Sequence, residues 1–312
     1  MRRIYASLPL TGPAAALGRD VLRGAELAKA RADGEVELVA LDSFGADRED
    51  QAVANARRAV EDDEALAYLG DFHSSQVMET APLLGEAALL QVAPVATFAG
   101  LHGSTLVRLM PHDGVGARPI ADWLVEVGVR ELLVIHDHDA DYGVAVGAMC
   151  TEAANDRGLA VRSRPIWDGE EPWEADLGHA DAVLYVGVCG SGAPGLWRDL
   201  HAHDQSIWLL GSEGVAEDWF ARRMDAPAAE RTRFFVAHRA PFAFYGYEAM
   251  ALALDSLAAG GGERSAVVGA ARATRDRDLI LGRYSLDEDG HTSTTAYGRL
   301  AVVDGALVWD DA

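Results

Sequence analysis

Short apolar runs alternate along this chain with longer stretches whose apolar positions recur at helical spacing. The runs Ile4–Leu8, Val36–Leu41, Ala67–Leu69, Leu90–Ala93 and Leu106–Leu109 predict strands. A second series follows at Leu132–His136, Leu159–Arg162, Ala182–Val188, Ile207–Leu210 and Arg233–Ala237. Between them, Val53, Ala56 and Val60 fall on one helical face, and Ile120, Leu124 and Val127 mark another. Strand–helix–strand repetition of this kind builds a parallel sheet covered on both faces, so the predicted class is α/β.

The alternation restarts after Pro111-His112-Asp113-Gly114, which predicts two similar α/β halves joined near residue 113. A third region holds a helix at Tyr245–Leu257, then Gly260-Gly261-Gly262, then a helix around Ser265–Thr274. The tail reads as β structure, with Gly282-Arg283-Tyr284-Ser285 and a turn at Asp287-Glu288-Asp289-Gly290. Strands Arg299–Val303 and Ala306–Trp309 are joined by Asp304-Gly305, a hairpin signal.

Charge narrows the partners. The 312 residues carry 49 acidic against 27 basic side chains, a formal net charge of −22. Nucleic acid and anionic membranes both need clustered Lys and Arg, so neither is an expected partner. No apolar stretch approaches the roughly 18 residues of a membrane span. Met1-Arg2-Arg3 leads straight into the first strand with no apolar signal region. That predicts either a cytoplasmic chain or an export signal absent from this sequence. Cys150 and Cys189 lie in no metal-type spacing and read as two buried thiols.

Three loops follow strands at the edge where open α/β sheets bind ligands: Thr11-Gly12-Pro13-Ala14, Asp71-Phe72-His73-Ser74-Ser75, and Ala93-Pro94-Val95-Ala96-Thr97. Taken alone, Ser74 or Ser75 would cap the following helix. Together the loops set hydroxyls and a helix N-terminus along one sheet edge, which suits a carboxylate or another small polar group. His136 and His138 alternate on a strand end and offer a metal pair, but Ala140 stands where a metallohydrolase run needs Asp. A polar strand-to-helix turn is the expectation there. Asp287–Gly290 lacks the ligands of a calcium loop and reads as a tight turn. No nucleophile elbow, phosphate loop or dinucleotide fingerprint occurs, since Cys189 replaces the first Gly before Ser191. The chain is therefore expected to be no enzyme and to carry neither cofactor nor metal.

In order along the chain stand Leu8-Pro9-Leu10-Thr11-Gly12-Pro13 with Gly18 and Gly24-Ala25, then Ala65–Ser75, Gln91–Thr97 and Asp141-Tyr142-Gly143. Leu210-Gly211-Ser212-Glu213-Gly214, Tyr247-Glu248-Ala249, and Gly282-Arg283-Tyr284 through Asp289-Gly290 follow. In order and spacing these segments resemble the type I periplasmic-binding proteins over nearly the whole chain. The resemblance is to the Leu/Ile/Val-binding-protein-like group that serves ABC importers.

That resemblance implies two Rossmann-like lobes joined by three crossing segments, with lobe 1 at 1–113 plus 238–284 and lobe 2 at 114–237 plus 285–312. It implies an amino acid or similar small polar ligand, held by hinge closure between the lobes, and transporter permease subunits as partners outside the cytoplasm. Ser74, Ser75 and Thr97 match the hydroxyls that grip the α-carboxylate. The Val95 carbonyl, beside Ala96, and the Glu213 carboxylate match the ammonium partners. Tyr142 matches an aromatic that closes over the ligand, while Leu17 and Phe72 form the first-lobe wall. Leu17 and Cys189 stand where such binders often carry aromatics, and only ten residues separate Val236 from Tyr247. Other expectations remain open: a cytoplasmic ligand sensor on the same fold, a metal-dependent hydrolase using His136 and His138, or a member that no longer binds a ligand.

Overall fold

The computed structural model describes residues 1–32, 35–44, 48–137, 141–166, 178–187, 193–237, 240–295 and 297–310. The chain divides into two compact units, 1–111 with 240–294 and 112–239 with 295–312. The chain therefore passes between them three times. Residues 285–294, expected with the second unit, belong to the first. Backbone bonds hold them there: the Arg108 amide donates to the Gly290 carbonyl at 2.8 Å, and the Thr292 amide to the Arg108 carbonyl at 3.1 Å.

In unit 1, strands β1 (Arg2–Leu8), β2 (Val36–Asp42), β3 (Ala65–Leu69), β4 (Leu90–Ala93) and β5 (Leu106–Arg108) alternate with helices α1 (Ala15–Arg31), α2 (Arg48–Val60) and α3 (Ser74–Glu86). The strands pair in parallel in the order β2-β1-β3-β4-β5. β3 is buried at every position, as a central strand between two helical layers must be.

Unit 2 opens with α4 (Asp113–Glu126). It continues through β6 (Glu131–Asp137), α5 (Asp141–Asp156), β7 (Ala160–Ile166), β8 (Ala182–Val186), α6 (Ala193–His203) and β9 (Trp208–Gly211). Short helices α7 (Asp218–Ala221) and α8 (Ala226–Glu230) lead to β10 (Thr232–Val236). The chain then returns to unit 1 with α9 (Phe242–Gly260), α10 (Arg264–Arg272) and the hairpin β11 (Arg277–Leu279) and β12 (Gly282–Tyr284). It ends in unit 2 as β13 (Gly298–Val303) and β14 (Ala306–Trp309).

The unit 2 sheet runs β14-β13-β10-β9-β8-β6-β7, antiparallel only where the tail adds β13 and β14. The period-2 alternation of strands sorts its core into two layers. Val183 and Tyr185 face a cluster with Trp197, Phe220 and Phe234, while Ala182, Leu184 and Val186 face Trp123, Leu210 and Phe235.

α9 lies against α1 in unit 1 so closely that only glycine fits the crossing. A Cβ on Gly24 would sit 1.8 Å from the Ala243 carbonyl oxygen, and one on Gly246 would sit 1.9 Å from that of Val21. Buried Glu248 then anchors the β11–β12 hairpin, accepting from Arg277 Nε at 2.6 Å and the Tyr284 hydroxyl at 3.0 Å. Among the described residues no helix is long and apolar enough to cross a membrane.

Candidate functional site

The carboxyl ends of β1, β3 and β4 carry the three loops singled out above, and side chains bolt them together. Asp42 at the end of β2 accepts the Leu10 amide at 2.8 Å and the Phe44 amide at 3.0 Å. Its other oxygen takes the Thr11 hydroxyl at 2.5 Å. These bonds hold the Asp42 carboxyl below the ordinary carboxylate range against the opposing effect of burial. Under the second loop, fully buried Asp71 accepts the Tyr68 hydroxyl at 3.0 Å and the Thr80 hydroxyl at 2.8 Å. Burial outweighs these bonds and raises its pKa to about 6.

Ser74 is the first residue of α3, not its cap; His73 occupies that position. Among the described residues no side chain caps this helix and no acid stands in its first turn. A helix end left in that state favours an anion. The Ser74 hydroxyl instead accepts the Phe98 amide at 3.2 Å, which draws the helix start and the Thr97–Phe98 backbone together. Val95 and Ala96 are buried, Thr97 is half-buried and Ser75 is exposed. Half-buried Phe72 stacks on Phe242 at 5.8 Å, whereas Leu17 is 39% exposed on the first turn of α1.

In unit 2, Glu213 opens a 3₁₀ turn directly after β9, and one carboxylate oxygen accepts the Ala237 amide at 2.8 Å. Burial, and next the charge of Asp113, push its pKa up to about 8. Tyr142, in the first turn of α5, lies beside that turn: a Cβ on Gly214 would meet its ring at 3.5 Å. Burial followed by the Asp113 charge likewise drives the hydroxyls of Tyr142 and Tyr297 well above the ordinary range. Asp113 itself is 1% exposed at the start of α4. Two buried acids, Asp113 and Glu213, thus lie close enough for the charge of the first to act on the second, an arrangement that would suit a cation.

The metal expectation finds less here. Asp137 accepts the Tyr185 hydroxyl at 2.6 Å, and His136 packs against Gly147. His138 lies outside the described residues, as do Cys189 and Ser191. Among those described, no group of three or more His, Cys, Asp or Glu could hold a metal ion. Cys150 is a buried free thiol. The Asp287–Gly290 segment is a turn, with the Gly290 amide donating to the Asp287 carbonyl at 3.1 Å.

The periplasmic binding protein family model matches residues 3–166, more than half of the chain. The chain belongs to that family. The chain is 28% identical over 237 residues to an amino acid binding protein of Pseudomonas aeruginosa, covering 70% of this chain and 62% of the relative. It is 29% identical over 224 residues to Leu/Ile/Val-binding protein homolog 3 of Brucella melitensis, covering 67% and 60%. The matches thus span about three fifths of the length of these curated relatives. The crystal structure of a leucine-binding protein from Thermotoga maritima has the same fold. Its TM-score is 0.82 at 22% identity, over 99% of this chain and 98% of that one.

Sequence patterns did not single out Asp113, Phe242 and Arg108, which the structure sets beside Glu213, Phe72 and Phe98. Asp113 reads as part of a chain break, and Phe242 precedes the expected helix start. Arg108 looks like a strand-end charge. A signal existed only for Arg108, an arginine inside an otherwise apolar run.

Proposed function

We propose that this protein binds a free amino acid, with the branched aliphatic ones first among candidates, and performs no chemistry on it. The carboxylate lies at the α3 N-terminus with Ser74, Ser75 and Thr97. The ammonium lies against Glu213 and the Val95 carbonyl, with Tyr142 over the ligand and Phe72 and Leu17 along its side chain. The observation that carries this is the pairing of opposite electrostatics in the two units. Unit 1 presents an acid-free, uncapped helix start beside a hydroxyl. Unit 2 presents a buried glutamate beside Asp113, which a bound cation would stabilise in its ionised form. Family membership supports a station outside the cytoplasm and delivery to an ABC-type permease.

Thermal unfolding against a panel of the common amino acids tests this directly. Ligand at about 100 times its Kd adds about 2.7 kcal/mol to stability. A clear rise in Tm with leucine, isoleucine or valine is expected. A flat panel across all amino acids sinks the proposal.

A further inference from the structure

Arg108 ends β5 with 0% of its surface exposed. Burying a guanidinium is costly unless its donors are used, so the partners it meets are informative. Its Nη1 donates to the Phe98 carbonyl at 2.6 Å. On the other side of that residue, the Phe98 amide donates to Ser74 Oγ at 3.2 Å. One residue of backbone therefore separates the guanidinium from the hydroxyl. The main chain of Arg108 meanwhile bridges to the 290–292 segment through Gly290 and Thr292. Arg108 stands three residues before the first passage between units, and Thr292 two residues before the last. His291, between those bridges, donates from Nε2 to the Leu101 carbonyl at 3.0 Å. Its pKa is lowered by burial first and then by the Arg108 charge.

We propose that Arg108 is a positioning residue for ligand: it holds the Thr97–Phe98 backbone against Ser74 and ties that loop to two of the three segments joining the units. The proposal rests on the amino-acid reading of the Ser74 half-site. A lysine could keep the charge but would present a single ammonium in place of the planar fork, so it would hold the Phe98 carbonyl poorly. Loss of this clamp leaves Ser74 present but misdirected.

The test is a double-mutant cycle on L-leucine affinity, measured by calorimetry well below each variant's Tm. Arg108→Lys is expected to weaken leucine binding by about tenfold or more, in line with one charge-assisted hydrogen bond. Ser74→Ala should do at least as much, and the double variant should be scarcely weaker than Ser74→Ala alone, because both changes break one chain of contacts. Should Arg108→Lys not fold, Arg108→Met removes the charge at similar volume and takes its place. A measurement on the unaltered protein stands beside the cycle. Leucine should slow amide exchange at 97–98 and at 290–292 together. An Arg108 variant with lowered Tm but wild-type leucine affinity, additive losses in the cycle, or protection at 97–98 alone would overturn the proposal. A wild-type protein that ignores every amino acid sinks the proposed function and, with it, this inference.

Discussion

The Glu213 carboxylate accepts the backbone amide of Ala237 at 2.8 Å, across 24 residues of sequence. That single bond joins the turn after β9 to the end of β10. It does not compensate for burial beside Asp113, and the glutamate retains its proton to about pH 8.

A pH dependence of stability follows. The native carboxyl holds its proton where the unfolded chain, with a pKa near 4.5, has already released it. The stability carried by the neutral form is full below pH 4.5 and is lost as pH rises through about 8. Asp71 adds a second, lower window between 3.8 and about 6. Urea midpoints taken from pH 5 to 9 should therefore fall with pH. Glu213→Gln should remove the decline above pH 6; an unchanged slope would mean Glu213 ionises normally.

Ligand affinity should carry the opposite pH trend. An ammonium needs the glutamate as an anion, so binding leucine below pH 8 must expel a proton. Affinity should climb by up to about tenfold per pH unit toward pH 8. Calorimetric heats should vary with the ionisation enthalpy of the buffer. Buffer-independent heats at pH 6.5 would contradict this.

Two glycine substitutions should have opposite signs. Gly24→Ala drives a methyl into the Ala243 carbonyl and should cost about 3 kcal/mol, near the upper end for overpacking. Gly269→Ala adds its methyl on the exposed side of α10, with no described atom within 4 Å. It should stabilise the protein by about 0.5–1 kcal/mol through helix propensity. Paired thermal denaturation curves would check both.

Arg264 should prove a structural keystone of unit 1. Its guanidinium donates to the carbonyls of Asp62 at 2.7 Å, Ala65 at 3.0 Å and Val60 at 3.2 Å. Arg264→Ala strands those acceptors and should cost about 3 kcal/mol. Arg264→Lys, lacking the fork, should recover less than half of that loss in urea unfolding.

What the amino-acid sequence determined on its own was the alternation of strand and helix, and hence two parallel sheets with loops gathered at one edge. Periodicity carries this because it records which face of each element meets water, a local property. Ser74 and Thr97 were singled out because they stand in loops after strands that the pattern marks, whereas Glu213 was singled out only by the family resemblance. The tertiary structure decided what lies between distant residues. Only folding sets Asp113 beside Glu213, stacks Phe72 on Phe242, and threads Arg108 through Phe98 to Ser74. It alone assigns 285–294 to the first unit, since backbone bonds to Arg108 outweigh the apparent continuity of the tail. Burial and long-range hydrogen bonding are properties of the assembled chain, and no local pattern encodes them.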